Sequence, residues 1–127
     1  MNLAEYFARI SYQPQGKPSI EQLHALTRAH VQSIPFENLD VLHGKPIILE
    51  TAAIFDKLVK RRRGGYCFEH NGLFIWVVQQ LGYQASPLGA RVRLRYKERS
   101  EIPARTHLFV LVELDGQKWL TDVGFGG

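Results

Sequence analysis

One cysteine occurs in 127 residues, and its neighbours suit a nucleophile. Cys67 follows a glycine pair in the run Arg63-Gly64-Gly65-Tyr66-Cys67-Phe68-Glu69, and a helical pattern begins at it. Glycines let the backbone turn sharply and approach a ligand closely. A cysteine in the first turn of a helix meets unpaired backbone N–H groups and the positive end of the helix dipole. Both favour thiolate over thiol, so a lowered pKa is expected. The same N–H groups would stabilise the oxyanion formed when a thiolate attacks an acyl carbon. The competing reading is a buried, inert structural cysteine. Cys67 and His70 supply only two metal ligands and no second pair exists, so no metal is expected.

A thiol needs a base, and hairpin geometry supplies a candidate. Asp115-Gly116 is a strong two-residue turn signal. It pairs Leu114 with Gln117, Glu113 with Lys118, Val112 with Trp119, Leu111 with Leu120 and Phe109 with Asp122. The opposite charges of Glu113 and Lys118 support that register, which makes His107 and Asp122 diagonal neighbours on one face. A carboxylate among apolar strand residues needs a partner, and His107 is the nearest. An imidazole oriented by a carboxylate on one nitrogen can take a thiol proton on the other. The alternatives are a locally satisfied strand-end histidine and a turn-capping Asp122 before Gly124. Spacing alone does not bring His107 beside Cys67.

The elements that must position these residues read as α+β. Leu3, Phe7 and Ile10 mark a short helix over 2–10. Tyr12 to Pro18 reads as a loop. Ser19 with Gln22 forms a capping-box pattern for a second helix, with Ile20, Leu23, Leu26 and Thr27 on one face, ending at His30 to Ser33 before Pro35. Pro35–Leu39 reads as a turn, and Gly44 and Pro46 break the chain again. Thr51 caps a third helix with Ile54, Phe55, Leu58 and Val59 inward and Arg61, Arg62 and Arg63 at its C-terminal end. A fourth helix spans Cys67 to Leu81 and stops at Gly82. It is apolar on every side from Leu73 to Val78, which marks it as central. Strict alternation from Arg91 to Lys97, then Leu108–Leu114 and Gln117–Val123, predicts three strands. His24, His30 and His43 read as surface or loop histidines, and His70 as an ordinary helix side chain. The Arg91, Arg93, Arg95 stripe reads as a solvated face or a phosphate contact. Arg63 and Glu37 are expected to pair and tie the Pro35–Leu39 turn to the Cys67 loop.

Composition bounds the class. Hydrophobic residues make up 45% and charged residues 22%, ordinary for a globular domain. Sixteen basic against twelve acidic residues give +4, which favours acidic small molecules without pointing to nucleic acid. A lone cysteine suits a reducing compartment. The N-terminus lacks a signal-peptide pattern, and no stretch approaches the ~20 apolar residues of a membrane span. Cytoplasmic location and no membrane or nucleic-acid partner are expected. Oligomeric state is left open.

Four blocks carry a resemblance: Pro35–Leu42 (PFENLDVL), Arg62–Phe74 (RRGGYCFEHNGLF), Arg105–Leu114 (RTHLFVLVEL) and Lys118–Gly127 (KWLTDVGFGG). In this order they resemble the arylamine N-acetyltransferases. The resemblance implies a Cys–His–Asp constellation of Cys67, His107 and Asp122. It implies ping-pong transfer of an acetyl group from acetyl-CoA, through a Cys67 thioester, to an arylamine, arylhydrazine or N-hydroxyarylamine, as in xenobiotic metabolism. Phe36, Val92, Thr106 and Phe125 would line the acceptor pocket, whose aromatic walls suit a flat amine. The implied architecture is cysteine-proteinase-like: a helical bundle at 1–83 and the first antiparallel strands of an incomplete β-barrel at 84–127. The family's remaining barrel strands and lid have no counterpart in these residues, which leaves a sheet edge open. A Cys–His–Asp hydrolase or transglutaminase-like enzyme, and a non-catalytic binding module, are the alternatives.

Overall fold

A computed structural model describes residues 2–37, 39, 43–44, 50–91 and 105–124, the side chains of 89–91 and 105–107 excepted. Among these residues four helices precede a three-stranded antiparallel sheet.

Helix α1 (Leu3–Ile10) starts where Asn2 Oδ1 accepts the Ala4 N–H at 2.8 Å, and ends at Ser11 in the left-handed region. Helix α2 (Ile20–Ser33) is capped as expected, by Ser19 Oγ accepting from Gln22 N at 3.1 Å. The reciprocal half of the expected capping box is replaced. Gln22 accepts from the buried Tyr83 hydroxyl, and the Ser19 N–H donates to Tyr83 Oη instead. Helix α3 (Thr51–Phe55) begins one residue earlier than expected: Glu50 is the N-cap and Thr51 the first helical residue. It runs on into a π-helical turn, Asp56–Lys60. The expected Ile54, Phe55, Leu58 and Val59 are buried, but so is Lys57, on which the site draws below.

Helix α4 (Cys67–Gln80) is central, with Leu73, Phe74, Val77 and Val78 completely buried. Gly82 at φ +102° ends it. Its N–H bonds Gln79 O while the Tyr83 N–H bonds Val78 O, the paired closure that spares two terminal carbonyls.

The strands are β1 (Gln84–Arg91), β2 (Arg105–Leu114) and β3 (Gln117–Thr121), in that order. The β2–β3 register matches the expectation from Leu114↔Gln117 through Leu111↔Leu120 and stops at Val110↔Thr121. Asp115 at φ 53° and Gly116 at φ 75° form the turn that strand twist favours. The third strand thus ends short of the expected Val123, leaving Asp122 outside the ladder. β1 lies earlier than the Arg91–Lys97 alternation suggested. It takes in only Arg91 of that run, and 92–97 lie outside the described residues. Pro87 masks the strand in sequence, but among the described residues β1 pairs with β2 alone, and an edge strand tolerates a missing N–H.

One contiguous core runs from the helices into the sheet, where α4 packs on β1 and β2 and Val110 and Val112 are fully buried. Each fully buried side chain of this size contributes roughly 1.5–3 kcal/mol against the entropy of ordering the chain. His24 and His43 are exposed. His30 departs from expectation: it is completely buried, because Tyr6 and His70 satisfy both ring nitrogens and remove the cost of burial. Among the described residues no helix is long and apolar enough to cross a membrane.

Candidate active site

The Arg63–Glu69 motif is assembled from backbone outward. Gly65 N donates to Pro35 O at 3.2 Å and Glu37 N to Gly65 O at 2.8 Å, forming a parallel bridge between Phe36 and Gly65. A Cβ on Gly64 would lie 2.2 Å from the Pro35 carbonyl oxygen, so no larger residue fits. The expected Arg63–Glu37 pair is present at 2.7 Å, and Glu37 also accepts the Gly64 N–H. Beneath the loop, Lys57 Nζ donates to both oxygens of Glu69, at 3.2 and 2.9 Å, with both side chains almost fully buried. Glu69 reaches back to accept the Tyr66 N–H at 3.2 Å, stabilising the start of α4. Paired buried charges of this kind hold a loop to one arrangement, since breaking one strands the other.

Cys67 is the first residue of α4 and is 6% exposed. Burial is the largest influence on its thiol and pushes the pKa up. Backbone hydrogen bonds at Leu108, Phe68 and Cys67 itself pull it down, while the Asp122 charge adds to the rise. Among the described residues the net effect is thus opposite to the expected lowering. The helix-start N–H groups act as foreseen, but desolvation of the anion outweighs them.

Asp122 lies one residue beyond β3. Its Oδ1 accepts from Gly124 N at 2.8 Å and from Asn71 Nδ2 at 3.0 Å. Asn71 also donates to Leu108 O at 2.5 Å and accepts from Val123 N at 3.0 Å. A single buried amide thus joins α4, β2 and the end of β3. Asn71 is four residues after Cys67, on the same helical face. Gly124 closes the arrangement from above: a Cβ there would lie 2.9 Å from Cys67 Cα and from His70 Cβ.

The structure therefore brings Cys67 and Asp122 onto one assembly. The backbone of His107 is on β2 opposite Ala90, immediately before the Leu108 that hydrogen-bonds at Cys67. The side chains of His107 and Thr106, and the whole of Val92 and Phe125, lie outside the described residues. Phe36 is 45% exposed, with its ring parallel to the His70 imidazole at 6.5 Å. Sequence reasoning missed Asn71 and Lys57. The i, i+4 spacing from Cys67 was a signal for the first, whereas the π-turn that brings Lys57 inward has none. A groove of about 480 Å³ between α2 and β3 touches Asp122, but Cys67 does not line it. Among the described residues no group of three or more His, Cys, Asp or Glu side chains is placed to hold a metal.

Residues 19–127 match the N-acetyltransferase family model. The chain belongs to the arylamine N-acetyltransferase family. It is 45% identical to the arylamine N-acetyltransferase of Mycolicibacterium smegmatis, over all of this chain and 47% of that protein. It is 46% identical to the arylamine N-acetyltransferase / N-hydroxyarylamine O-acetyltransferase of Salmonella typhimurium, over 98% of this chain and 44% of that one. The M. tuberculosis arylamine N-acetyltransferase structure superposes with a TM-score of 0.92 at 44% identity, covering 99% of this chain and 48% of that one. The Mycobacterium marinum arylamine N-acetyltransferase in complex with CoA gives 0.89 at 43%, covering 97% and 46%. The chain spans about half the length of the arylamine N-acetyltransferases it matches.

Proposed function

We propose that this chain carries the acyl-transfer centre of an acetyl-CoA-dependent arylamine N-acetyltransferase, with Cys67 as nucleophile, His107 as base and Asp122 orienting that base. The observation that carries the reading is the Asn71 tether. It fixes Asp122 to the helix that starts with Cys67, and fixes both to Leu108, the residue after His107. Burial alone disfavours the thiolate, so an adjacent imidazolium is what would sustain it.

In the first half-reaction His107 takes the Cys67 proton. The thiolate attacks the acetyl carbonyl of acetyl-CoA, and the backbone N–H groups at the start of α4 receive the oxyanion. His107 returns that proton to the departing sulfur, so CoA leaves as its thiol, His107 is again neutral, and the acetyl group stays on Cys67. In the second half an aromatic amine attacks that thioester. His107 takes the amine proton as the C–S bond breaks, which restores the thiolate–imidazolium pair. The relatives' names and the neighbour bound to CoA support this donor and acceptor class. We further propose residues 1–83 as the bundle bearing the nucleophile and 84–127 as the first strands of a barrel, in a cysteine-proteinase-like arrangement. Phe36, Val92, Thr106 and Phe125 are the proposed acceptor contacts, and the cytoplasm the proposed location. Family membership favours acetyl transfer over hydrolysis.

Intact-mass measurement after incubation with acetyl-CoA, or with the small donor p-nitrophenyl acetate, tests this. The expected result is one acetyl group on Cys67 that is discharged by an arylamine, with the acetylated amine as product. Discharge to acetate at the same rate without amine would instead identify a hydrolase, and no adduct from either donor would identify a binding module.

A further inference from the structure

Behind the Cys67 turn lies an uninterrupted chain of buried hydrogen bonds. Tyr6 Oη, on α1, lies 2.7 Å from His30 Nδ1 on α2. His30 Nε2 lies 2.9 Å from His70 Nδ1 on α4, and His70 Nε2 lies 2.9 Å from the Pro35 carbonyl oxygen. Tyr6, His30 and His70 are all completely buried.

The carbonyl end sets the direction of every bond. A carbonyl only accepts, so His70 Nε2 carries a proton. A neutral His70 then accepts at Nδ1, so His30 donates from Nε2. A neutral His30 accepts at Nδ1, so the Tyr6 hydroxyl donates. Each ring is thereby held as the Nε2–H tautomer. Burial keeps both imidazoles neutral. His30 faces Tyr6 and Arg9 from α1 and His70 from α4; beyond burial, any charge on His70 and the Arg9 guanidinium would both oppose its protonation. For His70 the backbone at Pro35, the Glu69 charge, the backbone at Gly65 and the Asp122 charge oppose but do not overcome its desolvation.

The Pro35 carbonyl takes two donors, Gly65 N–H from the Cys67 loop and His70 Nε2–H. The next residue, Phe36, stacks on the face of the same imidazole. His70 thus grips the Pro35-Phe36 segment by its backbone and by its ring, three residues beyond Cys67.

We propose that His70 is a positioning residue for the acceptor: locked in one tautomer by His30 and Tyr6, it holds Phe36 against the Cys67 turn and so sets the preference of Cys67 for aromatic partners. The consequence at the acceptor rests on the acyl-transfer reading. The tautomer lock does not, which allows the two to fail separately.

The test compares Cys67 alkylation by chloroacetamide and by its N-phenyl derivative, which share a warhead and differ in one ring. The native chain should prefer the aryl reagent. His70→Leu should lower that preference, read as the ratio of the two rates so that a general change in Cys67 reactivity cancels, about fivefold, the worth of one buried hydrogen bond. His70→Gln, whose amide still donates toward Pro35, should keep the preference. Tyr6→Phe, remote from Cys67, should weaken it less. Nitrogen-15 imidazole spectra at neutral pH should show both His30 and His70 protonated at Nε2 alone. The proposal is overturned by an aryl preference that is absent from the native chain or unchanged in His70→Leu. Equal loss in the Leu and Gln variants, or an Nδ1–H signal from either ring, would also overturn it. A chloroacetamide rate no faster than that of an ordinary thiol would count against the acyl-transfer reading alone, with the spectra still deciding the lock.

Discussion

Replacing Asn71 with leucine, which is close in shape but apolar, removes three buried hydrogen bonds at once. Two are neutral, to Leu108 O and from Val123 N, and one goes to the Asp122 carboxylate. At about 1 kcal/mol for each neutral bond and about 1.5–3 for the charged one, the loss is about 3.5–5 kcal/mol. Asp122 keeps its Gly124 N–H, so its charge is not stripped bare. The buried Val123 N–H has no such relief, which places the effect toward the upper end. Against a typical domain stability of about 5–15 kcal/mol, this is severe. Urea unfolding of the native chain and Asn71→Leu measures it, read at the midpoint with the slope checked for constancy. The iodoacetamide reactivity of Cys67 should fall in the same variant, because Asp122 and Leu108 lose their common anchor. A variant within about 1 kcal/mol of native, or one destabilised with Cys67 reactivity untouched, would refute the claim that this amide couples the helix to the strand end.

Two further outcomes follow from buried charge and buried imidazole. Lys57→Met should cost about 3–5 kcal/mol by stranding Glu69. Adding Glu69→Gln, which keeps an acceptor for Tyr66 N–H, should recover most of it in a double-mutant cycle. His30 and His70 are held neutral in the fold, whereas unfolded histidines take up protons near pH ~6.5. The unfolded state therefore binds more protons below that pH. Stability should be full above about 6.5 and fall as pH drops, by up to about 1.4 kcal/mol per pH unit for each ring. Thermal unfolding between pH 7 and pH 5 should show it, and His30→Phe should flatten the slope.

Much of the fold was legible because the signals were local. Ser19 caps α2, Gly82 closes α4, and Asp115-Gly116 fixes the hairpin register from within a few residues. What was illegible depended on partners distant in sequence. His30 reads as a surface histidine until Tyr6 and His70 arrive from other helices to satisfy it. Lys57 gives no signal in the sequence, because only the π-turn brings it onto Glu69. β1 was hidden by Pro87, which an edge position tolerates. At the site, the motif around Cys67 marked the proposed nucleophile, and hairpin counting marked Asp122. Counting did not show that Asp122 leaves the ladder and bonds Asn71. Nor could a helix-start argument weigh desolvation, which pushes the Cys67 thiol the other way.

The pairing of Cys67 with His107 is tested most directly by the pH dependence of Cys67 alkylation by iodoacetamide in the native chain and in His107→Gln. An ordinary thiol titrates near ~8.5, and burial alone would raise Cys67 further. A thiolate–imidazolium pair predicts rapid alkylation that persists well below pH ~7 in the native chain. It also predicts that His107→Gln pushes the profile above the ordinary thiol value. A native rate that rises only at or above ~8.5, unchanged in His107→Gln, would contradict it.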